Sequence, residues 1–420
     1  MNRPKTIQYI HNYDQQLNAF YKRVEKIAIS RINKDLILEF EKQCFIKEHI
    51  ALPTRVKYLD VLSTIALKHC SKDFDKLERK DFEDIVLGIQ EREDISISTK
   101  QKYTAILKKF GRWLVFKDKM FIPNGIKKYP ETVEWINTHI KAKDKPRIKA
   151  SEILTEEEIE KLINTAETPQ HKAFISMLYE LGARIGEIGM LNVGDVNRDE
   201  YSYIVDLSGK TGHRTPRIIL SDPYLTTWLN QHPFRENKEA PLWIAKDKKT
   251  KQFADTRLKY NPLVQIINRI VKKTNIKKNV YPHLFRHSRV THLLKNKQIN
   301  ESQAKVYFGW TPSSKVLSEY SHLVSGDVNE TLLEINGIKI RKESEIRLRS
   351  KQCYSCKNIN SKEARFCQYC SKPLDFQAIE ELEQIKSRIS DLSLGFAQSG
   401  KPMEVYLKEL IKKEIRRNIK

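Results

Sequence analysis

A chain of 420 residues with 40% hydrophobic content is long enough for two or three domains with proper cores. Its 76 Lys plus Arg stand against 53 Asp plus Glu, a formal charge of +23; the excess points to a polyanionic partner, nucleic acid or an anionic membrane surface, against the plainer alternative of basic solvated helix faces. No apolar run approaches the roughly 18–20 residues that span a bilayer. The N-terminus MNRPKTIQYIHNYDQQ has no apolar signal core, and the six cysteines, four of them in CxxC pairs, favour a reducing compartment, so a cytoplasmic protein with no membrane partner is expected.

Residues 1–33 read as a polar N-terminal extension in which Tyr13 to Ile29 has the spacing of an amphipathic helix. Residues 34–130 read as an all-helical domain, helical from Lys34 to Phe116 and interrupted at ALPT (51–54) and SKD (71–73). Its last helix is expected to open on a capping box of Ser98 and Gln101 and to carry Tyr103, Ile106, Leu107, Phe110, Trp113 and Leu114 on one face. Residues 131–151, rich in proline and lysine, read as a linker, exposed from about Ile140 to Ala150.

A second domain, 152–335, starts at a capping box of Thr155 and Glu158, with Leu154 and Ile159 at the hydrophobic-staple positions. Helices are expected at about 155–166, 170–181, just after Gly182, 222–231, 262–274, 284–296, 300–308 and 313–321. Tyr201–Leu207 and Arg214–Leu220 read as strands joined by the turn SGKTGH. The fold class is therefore α+β, mostly helical with a small antiparallel sheet. Residues 350–375 hold a cysteine unit, and 376–420 form an amphipathic, basic C-terminal tail.

The residues that carry chemistry are Arg184 in LGARIGEIGMLNVGDV, Lys210 in the turn, His283 and Arg286 in HLFRH, and Tyr320 in GWTPSSKVLSEYSHL. Attack on a phosphodiester without a metal needs fixed cations for the charge that spreads over the non-bridging oxygens, and planar arginines supply paired hydrogen bonds. It also needs a nucleophile and an acid for the leaving oxygen, and a tyrosine beside cations is a competent nucleophile. No convincing carboxylate constellation for a metal-dependent nuclease accompanies these motifs.

In this order and spacing, residues 34–335 resemble the tyrosine recombinase (phage integrase) family, which implies a helical SAM-like core-binding domain followed by an α+β catalytic domain. The resemblance gives Arg184 the role of first phosphate-binding arginine, with Glu187 supporting it, and makes Lys210 the general acid toward the 5′ oxygen. His283 and Arg286 match the His-x-x-Arg box, Trp310 the position held by histidine or tryptophan, and Tyr320 the nucleophile that forms a 3′-phosphotyrosyl intermediate. A site-specific recombinase or integrase follows, independent of metal and ATP for its chemistry, acting on double-stranded DNA and self-associating into a dimer or tetramer there. The alternatives are strand relaxation in the manner of a type IB topoisomerase, and a non-catalytic DNA-binding regulator. His287 and His292 are expected to pack helices or face DNA, while Arg214 and His213 compete with Lys210 for DNA contact. The helix-like VNETLLEI after Tyr320 is a candidate for exchange between subunits.

Cys353-x2-Cys356, ten residues, then Cys367-x2-Cys370 has the spacing of two knuckles that hold one structural zinc in a closed four-thiolate site. A redox dithiol is disfavoured because no βαβ pattern surrounds it. Appended zinc ribbons of this kind are similar to those on some archaeal integrases. Cys44 and Cys70 sit among apolar neighbours and read as core residues.

Overall fold

The computed structural model describes residues 9–122, 128–140, 148–209, 212–295, 299–320, 348, 350–406 and 408. The chain divides into two compact units, one of His11–Arg147, the other of Met1–Ile10 with Ile148–Lys420. Among the described residues no helix is long and apolar enough to cross a membrane.

The first unit is helical: α1 (Tyr13–Arg23), α2 (Arg31–Glu48), α3 (Leu52–Lys68), α4 (Arg79–Glu91) and α5 (Ile97–Phe116). Apolar residues recurring along each helix meet in one core, where Phe110 lies 5.2 Å from Phe40, 5.0 Å from Phe74 and 5.7 Å from Trp113, ring centre to ring centre. The helix expected from Tyr13 to Ile29 stops at Arg23, and its Leu17 and Phe20 are buried in this core. Val133 and Ile136, from the segment read as linker, are buried there too. The capping expectation at α5 needs correction. Ser96, not Ser98, is the N-cap: its Oγ accepts from the Thr99 amide at 3.2 Å, and Gln101 instead donates its side-chain amide to the Thr138 carbonyl. Two serines spaced by one residue offer the same hydroxyl, and Ser96 is the one whose extended backbone (φ −68°, ψ 156°) lets it serve.

The second unit opens on α6 (Glu156–Thr165), α7 (Pro169–Glu180) and the short α8 (Ile185–Gly189). The Thr155–Glu158 capping box forms, with Leu154 and Ile159 fully buried beside it. Helix α7 is buried on almost every side, Phe174, Ile175, Met177, Leu178 and Tyr179 all lying inside, so it is the helix around which the unit packs. Then come β1 (Val196–Arg198), β2 (Tyr203–Val205), β3 (Leu207–Gly209), β4 (Gly212–Arg214) and β5 (Arg217–Ile218), and α9 (Asp222–Gln231).

Each of the two strands expected here is broken in two. β1–β2–β5 make one antiparallel sheet and β3–β4 a separate hairpin. Pro216 cannot donate to a ladder, which interrupts the strand between β4 and β5, and the Asp206 amide turns aside to the Asp195 carbonyl at 2.8 Å. A second hairpin, β6 (Ile244–Lys246) with β7 (Phe253–Arg257), was not expected from the sequence. Its lysine-rich turn is organised by Asp247, whose carboxylate accepts from the amides of Lys249 and Thr250.

The remaining helices are α10 (Tyr260–Lys272), α11 (Pro282–Lys295) and α12 (Glu301–Phe308). The helix expected over 313–321 is only a 3-10 turn, Val316–Glu319, because Pro312 and Ser314, whose hydroxyl accepts from the Val316 amide, hold the chain in local turns. The C-terminal part adds β8 (Lys351–Gln352) paired with β9 (Ile359–Asn360), then α13 (Phe376–Ser399). VNETLLEI lies outside the described residues.

Candidate active site

Helix α11 supplies most of the site because its two faces do different work. One is bolted to α7: the Arg289 Nε donates to the Glu180 carbonyl at 3.0 Å, and His292 Nδ1 lies 2.8 Å from the Tyr179 hydroxyl. His292 is thus a packing residue. The other carries His283, Arg286 and His287.

Arg286 is 2% exposed, and two of the five N–H groups of its guanidinium are held by backbone carbonyls. One terminal nitrogen donates to the Gly182 carbonyl at 2.7 Å and the other to the Phe308 carbonyl at 2.9 Å, with the rings of Phe308 and Trp310 each 5.3 Å from its centre. Gly182 takes φ +50°, and a Cβ there would meet the Phe308 ring at 2.5 Å, so glycine is demanded by both backbone and space. Burial, and then the charges of Arg184 and Arg214, push Arg286 down to about 10, the mark of cations held together in a confined volume.

Arg184 caps α8 and donates to Glu187 Oε1 at 2.6 Å, while keeping 35% of its side chain exposed. The other oxygen of Glu187 pairs with Arg214 at 2.9 Å. Burial alone would raise the Glu187 carboxyl, but the bond from Arg184 and the charge of Arg214 outweigh it and hold the group below the ordinary carboxylate range. Arg214 also donates to the Tyr307 carbonyl, next to the carbonyl that Arg286 uses. A Cβ on Gly209 would stand 2.6 Å from Glu187, so the β3–β4 hairpin lies directly against that carboxylate. Lys210, which follows Gly209 in the sequence, lies outside the described residues.

Tyr320 is 4% exposed, and its hydroxyl is 2.6 Å from Nδ1 of His287. Trp310 lies 6.3 Å from the Tyr320 ring, and the His283 ring meets that of His287 edge-on at 4.6 Å. Burial, followed by the charges of Arg286 and Arg184, lowers the pKa of His283 although the residue keeps an exposed surface. The structure thus brings Arg184, His283, Arg286, Trp310 and Tyr320 into one connected site. Two members escaped the sequence reading. His287 carried a usable signal, standing one helical turn after His283 on the same face. Arg214 carried none, since nothing local reveals that it would reach Glu187 rather than DNA. His213 is exposed and lies 3.7 Å from Asp206.

Residues 152–327 match the family described as the phage integrase family. That stretch of the chain is a phage integrase domain, the domain of the tyrosine recombinases. A protein of Pyrococcus horikoshii named tyrosine recombinase XerA is 28% identical over 142 residues, 34% of this chain and 47% of that protein, so the match spans less than half of XerA. A tyrosine recombinase of Thermosipho africanus is 27% identical over 266 residues, 61% of this chain and 84% of its own length. Among solved structures, the crystal structure of XerA recombinase aligns with 72% of this chain and 98% of its own at 18% identity, with a TM-score of 0.36.

Beyond the matched domain, the four cysteines of the C-terminal part also converge. Their sulfurs all lie within 4.8 Å of one another, Cys353 to Cys370 at 3.6 Å and Cys356 to Cys367 at 3.5 Å. Four sulfurs each about 2.3 Å from a tetrahedral zinc would be separated by roughly 3.8 Å, so this donor set fits that ion. The Asn360 side-chain amide reaches Cys367 Sγ at 3.6 Å, the kind of outer contact that orients a ligand. The cysteine unit is docked on the rest of its unit through Asp222 at the start of α9. That carboxylate accepts from the Tyr369 hydroxyl at 2.9 Å and from Arg198 at 2.7 Å, and Arg198 reaches on to Asn358 at 2.9 Å.

Proposed function

We propose that this chain is a site-specific DNA recombinase or integrase that cleaves and rejoins double-stranded DNA through a 3′-phosphotyrosyl intermediate on Tyr320. The observation that carries the reading is the enclosure of the Tyr320 hydroxyl in the same site as Arg184, His283, Arg286 and Trp310, with the phenol turned inward rather than toward water. Arg184 and Arg286 bind the non-bridging oxygens of the scissile phosphate; Arg286 is placed by two carbonyls and Arg184 by Glu187, so both are oriented before DNA arrives. His283 exchanges protons at the phosphate, Trp310 packs on Arg286, and Lys210 protonates the departing 5′ oxygen. The bond energy retained in the phosphotyrosine makes ATP unnecessary, and the chemistry uses no metal.

The helical unit acts as a SAM-like core-binding domain on phosphates, in a chain whose +23 overall charge favours DNA as partner, and the protein works as a dimer or tetramer on DNA in the cytoplasm, associated with the nucleoid. Cys353, Cys356, Cys367 and Cys370 form a ribbon that holds one structural zinc. The ion supplies a covalent cross-link between two knuckles and takes no part in the reaction.

The decisive experiment uses a nicked suicide duplex, which traps protein covalently on DNA. Wild type should give an SDS-resistant adduct in the presence of EDTA, and Tyr320→Phe should bind the same DNA and give none. An undiminished adduct from Tyr320→Phe would reject the nucleophile.

A further inference from the structure

We propose that His287 is a catalytic residue of this site, its Nδ1 taking the proton of the Tyr320 hydroxyl as the phenol oxygen attacks phosphorus. The inference rests on Tyr320 being the nucleophile and adds the group that activates it. Three observations carry it. The Nδ1 to hydroxyl distance is 2.6 Å, direct hydrogen-bond contact with the reacting atom. The phenol is enclosed, 4% exposed, so a protein group rather than bulk water is its natural proton acceptor. The imidazole is also held in orientation: it sits on the rigid α11, its edge against His283 at 4.6 Å and its ring centre 5.6 Å from that of Tyr320.

The protonation state is the one required. Burial, then His283 and Arg286, push His287 down to about 4, so at neutral pH the ring has a free lone pair and can accept. A scissile phosphate entering beside Arg184, His283 and Arg286 brings negative charge that offsets the two arginine cations, and so raises the proton affinity of His287 when the proton must move.

The step balances. The phenol O–H bond breaks and its proton passes to His287, while the tyrosine oxygen forms the new bond to phosphorus. The bond from phosphorus to the 5′ oxygen breaks, and that oxygen takes a proton from a separate acid, for which Lys210 is the proposed donor. On rejoining, the 5′ hydroxyl gives its proton back to the deprotonated acid and attacks phosphorus, the bond from phosphorus to the tyrosine oxygen breaks, and His287 returns its proton to the phenol.

The test compares two suicide substrates, one with an ordinary scissile phosphate and one with sulfur at the bridging 5′ position, which leaves as a thiolate without needing an acid. His287→Ala and His287→Gln should bind DNA as tightly as wild type and form the adduct about 100-fold more slowly on both substrates. Rates within threefold of wild type would overturn the proposal. So would a defect that the sulfur substrate erases, which would place His287 on the leaving-group side, or a defect matched by an equal loss of DNA binding in both variants, which would make the residue structural. Tyr320→Phe is run alongside: if it still forms adduct, the nucleophile assignment falls and the His287 proposal with it. If it does not, the His287 variants decide their own case.

Discussion

Glu187 is the carboxylate placed among Arg184, Arg214 and Arg286, and its two oxygens tie the first two together. Through Arg214 it also connects the hairpin leading to Lys210 with the end of α12, where the Phe308 carbonyl holds Arg286. Removing that charge leaves guanidinium groups facing one another. Glu187→Gln is expected to cost about 2–4 kcal/mol, toward the lower part of the range for a broken buried pair because Arg184 keeps 35% of its side chain in contact with water. The pH dependence has a definite sign. The folded-state pKa of Glu187 lies below its ordinary value of 4.5, so its stabilisation is complete above that value and is lost as pH falls through the lower folded value. Urea unfolding of wild type and Glu187→Gln should therefore differ most near neutrality and converge in acid. A gap that persists unchanged to low pH would show that Glu187 acts through shape and not charge. At this scale the sequence was legible where residue type and motif order sufficed, as for Arg184, His283, Arg286 and Tyr320. It was illegible for Arg214, whose role depends on a partner 27 positions earlier in the chain.

At the scale of elements, amphipathic spacing located the long helices, and failures fell where local polar groups compete with regular structure. Pro216 and Asp206 split the expected strands, the serines after Pro312 reduced an expected helix to one turn, and Asp247 organised a hairpin whose short strands carry no strong pattern. The start of α5 gives this lesson a measurable form. Ser96 Oγ bonds the Thr99 amide, so Ser96→Ala should cost about 1 kcal/mol. Ser98, inside the first turn, should tolerate the same change to within about 0.5 kcal/mol. Hydrogen exchange on the full chain reads this locally: protection of the Thr99 amide and its neighbours should fall in the Ser96 variant and not in the Ser98 variant. The reverse pattern would restore the capping box drawn from the sequence alone.

For the whole molecule, composition and the cysteine spacing announced a basic protein with a four-cysteine cluster, but not where that cluster would dock. Spacing describes the knuckles and says nothing of Asp222, which lies more than a hundred residues earlier and is fully buried. Burial raises the Asp222 carboxyl even against Arg198 and Tyr369, which means the site is costly to keep and depends on its partners staying in place. Tyr369 lies within the second knuckle, between Cys367 and Cys370, so whatever holds the four sulfurs together also holds the hydroxyl on Asp222 and on Thr226, at 2.9 and 2.8 Å. Stripping the proposed zinc from the full chain with a strong chelator should therefore do more than unfold the ribbon. It should expose residues 350–375 to proteolysis and lower the thermal midpoint of the catalytic unit by several degrees, since about 1–3 kcal/mol is lost when buried polar groups lose their partners. Tyr369→Phe should produce part of that shift with the metal still bound at one ion per chain. If chelation frees the ribbon to protease while the midpoint of the catalytic unit stays where it was, the ribbon is a passenger on this surface and the Asp222 contacts contribute nothing to holding the unit together.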